Sequence, residues 1–243
     1  KLLAQASINS LIVCHDSYRT VVKLRVISQG QQLIRLDFEE PVAEVLGETV
    51  LQAFLKVVER HDLIILSDYG KGSLNDVKQI VMAAKQLKKT VVVDPKGGDF
   101  SRYAGADLVT PNLKEFETIV GKCPQEFDIA SKAIALMKRF NIRNILVTRG
   151  HLGMSLVSQD GTSFHIPTEA EDVFDVTGAG DTVCGVIGAM LAIDFPLRDS
   201  VNIANQAAGL VVKKLGASTI KVEDLALTTA ESVVKEKFLS LRR

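Results

Sequence analysis

Two aspartates bracket a glycine turn in Asp175-Val176-Thr177-Gly178-Ala179-Gly180-Asp181, which runs straight into an apolar, small-residue helix from about Thr182. Glycines let backbone N–H groups face outward, and a helix N-terminus adds partial positive charge, so an arriving anion such as a phosphate meets donors already in place. Asp181 stands beside that anion as a candidate base. The same local pattern also serves as a plain connection into a helix, so the remainder of the chain has to discriminate.

Four more polar clusters carry groups able to bind or activate a ligand: Ser67-Asp68-Tyr69, Asp94-Pro95-Lys96, Thr110-Pro111-Asn112 and Thr148-Arg149-Gly150. Each directly follows a short apolar run, at residues 63–66, 91–93, 108–109 and 145–147. Helical periodicity fills the intervals at 46–60, 75–88, 113–120 and 129–140. Short, wholly apolar strands separated by helices predict an α/β fold with a mostly parallel sheet covered on both faces. Ligands of such sheets bind at the carboxyl ends of the strands, where all four clusters fall. After Gly150 two further strands are expected at 154–158 and 163–166, then helices at 182–193 and 197–215 and a charged helical tail.

Upstream, Val22, Leu24 and Val26 alternate with Lys23 and Arg25, and Ile34, Leu36 and Phe38 alternate with Arg35 and Asp37. This pattern predicts a β-hairpin within residues 20–40 with one apolar and one charged face, covered on a single side like a flap or an edge sheet. Its charges serve either as a solvated face or as contacts to a ligand or partner.

Bulk properties exclude several classes. The 243 residues carry 29 Lys plus Arg against 29 Asp plus Glu, so no net field draws the chain to nucleic acid or to an acidic membrane. The longest apolar run, around residues 183–193, is interrupted by Gly185 and Gly188 and is too short to span a bilayer. Cys14, Cys123 and Cys184 are odd in number and lack metal-ligand spacing, which points to reduced thiols. The first residues lack a signal-peptide pattern, so a cytoplasmic location is expected. Gly70-Lys71-Gly72-Ser73 lacks the spacing of a P-loop, and residues 178–183 lack the third glycine of a dinucleotide fingerprint. His15, His61, His151 and His165 are scattered, which supports neither a histidine metal site nor a Ser-His-Asp triad.

The glycine turn, placed late in an α/β chain, resembles the second signature of the ribokinase family of sugar kinases, also called the phosphofructokinase-B family. In the same order, Thr110-Pro111-Asn112-Leu113-Lys114-Glu115 is similar to its Asn-x-x-Glu element. Thr148-Arg149-Gly150-His151-Leu152-Gly153 is similar to its nucleotide loop, and Ala204-Asn205-Gln206-Ala207-Ala208-Gly209 to the helix beside adenine. The resemblance implies a three-layer ribokinase-like fold with a small β-hairpin lid, and ATP and Mg²⁺ as cofactors. Asp181 would be the catalytic base, and Gly178, Ala179 and Gly180 would present N–H groups to the transferring phosphoryl group. Asn112 and Glu115 would orient Mg²⁺ through its water shell, although Asn-x-x-Glu equally fits a helix capping box. Thr148, Gly150 and Gly153 would form the nucleotide loop, or simply a turn between two strands. Asn205 would line the adenine side or be a satisfied core amide. Asp175 would hold the turn or help coordinate a monovalent cation such as K⁺.

Further segments, among them Ser67-Asp68-Tyr69-Gly70-Lys71-Gly72, Asp94-Pro95-Lys96-Gly97 and Lys214-Leu215-Gly216-Ala217-Ser218-Thr219, narrow the resemblance to the family's branch that acts on D-glycero-β-D-manno-heptose 7-phosphate. That branch implies phosphorylation at the anomeric C1 hydroxyl to give the 1,7-bisphosphate. Another sugar or a nucleoside is the alternative acceptor, and a nucleotide-binding module with impaired catalysis is the alternative class. Asp68, Lys71 and Lys96 are candidate substrate contacts, and Lys23, Arg25 and Arg35 would reach the substrate phosphate or a partner chain. Such lids often clasp a homodimer. The family's opening Gly-Asp strand and Gly-Gly segment are not found in this sequence. Residues 1–243 are therefore expected to form one kinase domain without its first strands, with much of the sugar-binding half upstream of Lys1.

Overall fold

The computed structural model describes residues 2–14, 19–29, 31–40, 44–168 and 173–225; the expected charged tail and His15 lie outside them. In chain order the elements are α1 (Leu2–Gln5), β1 (Val22–Ser28), β2 (Gln31–Phe38), α2 (Glu44–Leu55), β3 (Leu63–Ser67), α3 (Val77–Gln86), β4 (Thr90–Asp94) and β5 (Leu108–Val109). There follow α4 (Leu113–Val120), α5 (Glu126–Phe140), β6 (Asn144–Thr148), β7 (Met154–Ser158), β8 (Ser163–Ile166), α6 (Ala179–Leu191) and α7 (Leu197–Val211).

β3 to β8 form one six-stranded sheet in sequential order. β3, β4, β5 and β6 run parallel, while β7 and β8 turn back antiparallel. The period of two in the strands sorts their side chains into two cores. Val91, Val93, Val109, Ile145 and Val147 pack with Ile80, Val81, Phe116, Ile129 and Met137 of α3, α4 and α5. Val92, Leu108, Leu146 and Leu156 pack with Val183, Cys184, Ile187, Val201 and Ala204 of α6 and α7. Helices thus cover both faces, giving three layers. Each of these branched side chains contributes roughly 1.5–3 kcal/mol by leaving water.

Three details differ from the sequence expectation. β3 is buried only at Ile64 and Leu66; Ile65 is 42% exposed because, among the described residues, β3 ends the sheet, with α6 packed on that side. That helix comes close because Gly188 has no side chain: a Cβ there would meet Ile65 Cδ1 at 2.5 Å. α6 starts at Ala179 rather than Thr182, since Gly178 takes φ +80° as N-cap and its carbonyl receives the Thr182 amide at 2.9 Å. α7 stops at Val211, because the Val212 carbonyl accepts the Phe174 and Asp175 amides and Gly216 then turns with φ +76°.

The expected hairpin forms, with Val22 opposite Phe38, Leu24 opposite Leu36 and Val26 opposite Ile34. One face therefore carries six apolar side chains, and all six are exposed within the single chain. The expected single-sided cover is not supplied by the described residues. One tie to the α/β body is the ion pair of Glu39, just past β2, with Lys71 at 2.5 Å.

Candidate active site

The glycine turn sits where β4, β5 and β6 end. Gly178 reverses the chain, Ala179 begins α6, and Asp181 falls in the first helical turn. A helix leaves its first amides without internal partners. Here the Ala179 N–H bends back to the Val176 carbonyl at 3.2 Å, so the donors facing outward are those of Gly180 and Asp181. Nothing lies within 4 Å of where a Cβ on Gly178 or Gly180 would stand. Asp175 holds the turn from behind: Oδ1 accepts the Thr177 amide at 2.9 Å and Oδ2 accepts the Gly216 amide at 3.0 Å. Those bonds, led by Thr177, keep its carboxyl below the usual range, with Arg25 of the hairpin close enough to add a small electrostatic effect.

Two cavities open on opposite sides of this turn. The first, about 480 Å³, is mostly apolar and is lined by Thr148, Gly150, His151, Gly153, Val176, Ala179, Gly180, Val183, Asn205, Ala208 and Val212 among others. The second, about 190 Å³, is polar and lined by Asp68, Tyr69, Asp94, Lys96, Asn112, Glu115, Thr148, Gly180 and Asp181 among others. Thr148 and Gly180 belong to both. A chain of phosphates lying in the first cavity would reach the second past those two residues.

The polar cleft gathers charge on opposed elements. Asn112 caps α4 by accepting the Glu115 amide at 2.9 Å, and Glu115 Oε2 accepts the Asn112 amide at 3.1 Å, a full capping box. Glu115 Oε1 remains turned to the cleft, paired with Lys96 Nζ at 2.6 Å. The capping reading of the Asn-x-x-Glu element is thus present in the fold, and it leaves one Glu115 oxygen on the cleft. Asp94 lies between these groups and Asp181; burial first, then the Asp181 and Glu115 charges, push its carboxyl up to about 7. Tyr69 donates its hydroxyl to Asp181 Oδ1 at 3.0 Å across 112 residues of sequence. Asp94 and Tyr69 were not singled out from the sequence as site residues, although both lie in its strand-end clusters. Cys184, one turn beyond Asp181, keeps its proton, since burial raises its thiol to about 12.

Asp68 is nearly buried and fully engaged: Oδ1 accepts the Gly70 amide at 2.7 Å, while Oδ2 accepts the Tyr103 hydroxyl at 2.8 Å and pairs with Arg102 at 3.2 Å. It pins the 68–70 loop at the floor of the cleft. Lys71 points to Glu39. On the hairpin Lys23 stands opposite Asp37 and Arg25 opposite Arg35, which pairs with Asp37 at 3.0 Å.

On the nucleotide side, Gly150 and Gly153 both have positive φ, but for different reasons. Gly150 borders open space, whereas a Cβ on Gly153 would stand 1.9 Å from the Ile166 carbonyl oxygen. Gly153 thus answers to its own backbone packing. Asn205 donates its amide to the Pro167 carbonyl at 2.9 Å and is buried, so it ties α7 to the end of β8 while lining the cavity. Arg149, between Thr148 and Gly150, turns away to pair with Glu126 and reach Ser155, anchoring the loop to α5 and β7.

A largely parallel sheet whose strand ends carry a glycine-capped helix, an apolar cavity and an acidic cleft is the arrangement of a phosphotransferase. The pfkB family carbohydrate kinase profile matches residues 1–224, and the chain belongs to that family: it is a sugar kinase. It is similar to the bifunctional protein HldE of Histophilus somni (strain 129Pt), 45% identical over 225 residues, 93% of this chain and 47% of that protein. The HldE protein of Methylococcus capsulatus is 47% identical over 227 residues, 93% of this chain and 48% of that protein. The chain spans about half the length of the curated relatives it matches. Phosphofructokinase-2 from Escherichia coli in complex with potassium has the same fold, with TM-score 0.75 at 21% identity over 100% of this chain and 77% of that one. Ribokinase from Arabidopsis thaliana, complexed with ribose and ATP, aligns with TM-score 0.60 at 23% identity over 74% of this chain and 57% of that one. Family membership implies ATP and a divalent metal ion.

Proposed function

We propose that this chain transfers the γ-phosphoryl group of ATP to the anomeric C1 hydroxyl of D-glycero-β-D-manno-heptose 7-phosphate, giving the 1,7-bisphosphate on the way to ADP-heptose and lipopolysaccharide core. The observation that carries the kinase chemistry is the junction of the two cavities at Gly180 and Thr148, with Asp181 on the acceptor side. The heptose assignment is supported by the strand-end motifs and by the similarity to HldE proteins.

In this reading the sugar oxygen forms its bond to the γ-phosphorus while the bond to the bridging oxygen breaks and ADP leaves with that electron pair. The hydroxyl proton passes to Asp181. An ionised carboxylate at a helix N-terminus is a weak base, which suffices when the transition state is loose. The outward amides of Gly180 and Asp181, rather than that of Ala179, stabilise the phosphoryl oxygens, each such donor being worth about 3 kcal/mol of barrier. Lys96 supplies a movable positive charge for phosphate.

The cleft fits a divalent cation. Asp94, Glu115 and Asp181 crowd negative charge there, and Glu115 already holds the Lys96 ammonium. In this reading Glu115 and Asn112 would hold Mg²⁺ through its waters. Bound there, Mg²⁺ would neutralise charge developing between the phosphates. Asp175, anchored between the turn and Gly216, would support a K⁺ ion in this reading.

Residues 1–243 act as one kinase domain whose lid is the hairpin at 20–40, with Lys23, Arg25 and Arg35 facing the substrate phosphate or a partner. The exposed apolar face of the hairpin pairs with a second copy to make a homodimer. Free thiols at Cys14, Cys123 and Cys184 suit a reducing cytoplasm.

A panel of sugars and sugar phosphates tests the assignment, read by ADP release and by NMR of the product. Phosphorylation at C1 of the heptose phosphate is expected to be fastest; preference for a fructose phosphate, ribose or a nucleoside rejects it.

A further inference from the structure

The groups of the cleft satisfy one another. Lys96 rests on Glu115 where a metal cation would be expected, and the Tyr69 hydroxyl rests on Asp181 where an acceptor alcohol would be expected. The Tyr69 contact has the chemistry of a bound acceptor: an O–H donated to the carboxylate at 3.0 Å, within the range a general base needs to its proton donor. Yet this phenol does not react. Burial, then the Asp181 hydrogen bond and charge, raise it to about 12, so it stays protonated at neutral pH.

Its mounting suits exchange. The backbone of 68–70 is fixed by Asp68 through Gly70, Tyr103 and Arg102, while the Tyr69 side chain is 52% exposed. The ring can therefore swing without disturbing the loop. Trading one hydroxyl for another on the same carboxylate is nearly neutral in free energy.

There is a need for such a group. The phosphoryl cradle at Gly180 is preformed, so an unoccupied Asp181 would offer its base to water. In that side reaction water oxygen bonds to the γ-phosphorus, the bond to ADP breaks with its electron pair going to ADP, and the water proton passes to Asp181 and then to the released phosphate.

We propose that the Tyr69 hydroxyl is a placeholder for the acceptor hydroxyl, which competes with water for Oδ1 of the exposed Asp181 carboxylate and yields that position when the sugar docks. This rests on the reading of Asp181 as the base. It makes Tyr69 a residue that selects sugar over water.

The test is Tyr69→Phe in the full-length protein that carries this chain, with ATP and Mg²⁺ and no sugar. ADP release is expected to rise about tenfold, the rate equivalent of one net hydrogen bond, and to fall back in the Tyr69→Phe, Asp181→Asn double variant. With sugar phosphate present, the ratio of ADP to phosphorylated sugar is expected to exceed that of the wild type. Unchanged sugar-free hydrolysis, or hydrolysis that stays high in the double variant, overturns the placeholder. An independent readout is the ¹⁹F resonance of 3-fluorotyrosine at position 69, expected to move on adding sugar phosphate without ATP and again in Asp181→Asn; a resonance that moves in neither case overturns it too. Full sugar phosphorylation by Asp181→Asn alone would instead remove the base reading. A dead Asp181→Asn beside an unaltered Tyr69→Phe would remove only the placeholder.

Discussion

The two cavities that meet at Gly180 are built on different principles. The apolar cavity is shaped by packing: small and apolar residues of α6 and α7, with Asn205 tied to Pro167, leave about 480 Å³ of mostly apolar space. The polar cleft is shaped by charge: Lys96 pairs with Glu115, Tyr69 donates to Asp181, and Asp94 feels the Asp181 and Glu115 charges, all in about 190 Å³. An adenine ring asks only for a dry slot, which packing can fix in advance. A phosphoryl acceptor needs groups that change partners during the reaction, and such groups need temporary ones when the cleft is empty. The nucleotide side should therefore respond to changes of volume, and the acceptor side to changes of charge or proton.

Asp181→Asn is the sharpest test of the acceptor side. Sugar phosphorylation should fall by roughly 10²–10⁴-fold in a steady-state assay, the usual contribution of a positioned base. Melting of the variant should be close to that of the wild type, because Asp181 packs no core.

Gly180→Ala probes the junction. Its Cβ would enter open space shared by both cavities, so turnover should fall by about 10²-fold through misplacement of the phosphoryl group. The same change should raise the melting temperature, since alanine in a helix is better than glycine by roughly 0.5–1 kcal/mol. A variant that loses stability and activity together would mean the glycine is there for folding.

Ala208→Leu fills the nucleotide side. The KM for ATP should rise about tenfold, in line with the 1–3 kcal/mol that a pocket exacts for a misfitting methylene, while the KM for sugar stays near its wild-type value. Equal changes in both constants would contradict the division of labour between the cavities.

Asp94 gives the smallest effect and the clearest sign. Its carboxyl titrates near 7 in the folded protein against 3.8 ordinarily, so the folded state holds the proton more tightly. Stability from this group is complete below pH ~4 and is lost as pH rises through ~7. Between pH 5 and 8 the melting temperature should drop by a few degrees for this reason. Asp94→Asn should flatten that part of the curve and melt higher than the wild type at pH 8.

Much of the architecture was legible in the residues. The strands of the large sheet fall within a residue or two of the apolar runs, because period and punctuation are local properties. The strand-end clusters were legible for the same reason, as was the capping box of Asn112 and Glu115. Helix ends were less so. α6 begins three residues early because Gly178 adopts φ +80°, and α7 ends early because Val212 is bonded to a segment almost forty residues upstream.

Individual roles were the least legible. Asp68 stands after β3 among the candidate substrate contacts, and only the fold shows that its carboxylate also holds Gly70, Tyr103 and Arg102 at the wall of the polar cleft. Gly153 has the type expected of a nucleotide loop, yet the Ile166 carbonyl alone would require it.

By itself the sequence determined the α/β class, the strand ends where the polar clusters gather, and the Asp175 to Asp181 turn as a glycine-led start of a helix. These depend on periodicity and on backbone freedom, which neighbouring residues encode. Tertiary structure alone decided that Gly180 joins two cavities, that Asp94 titrates near neutrality and that Tyr69 occupies Asp181. Those facts depend on distances between elements far apart in the chain, where burial and Coulomb energy follow the fold rather than the order of residues.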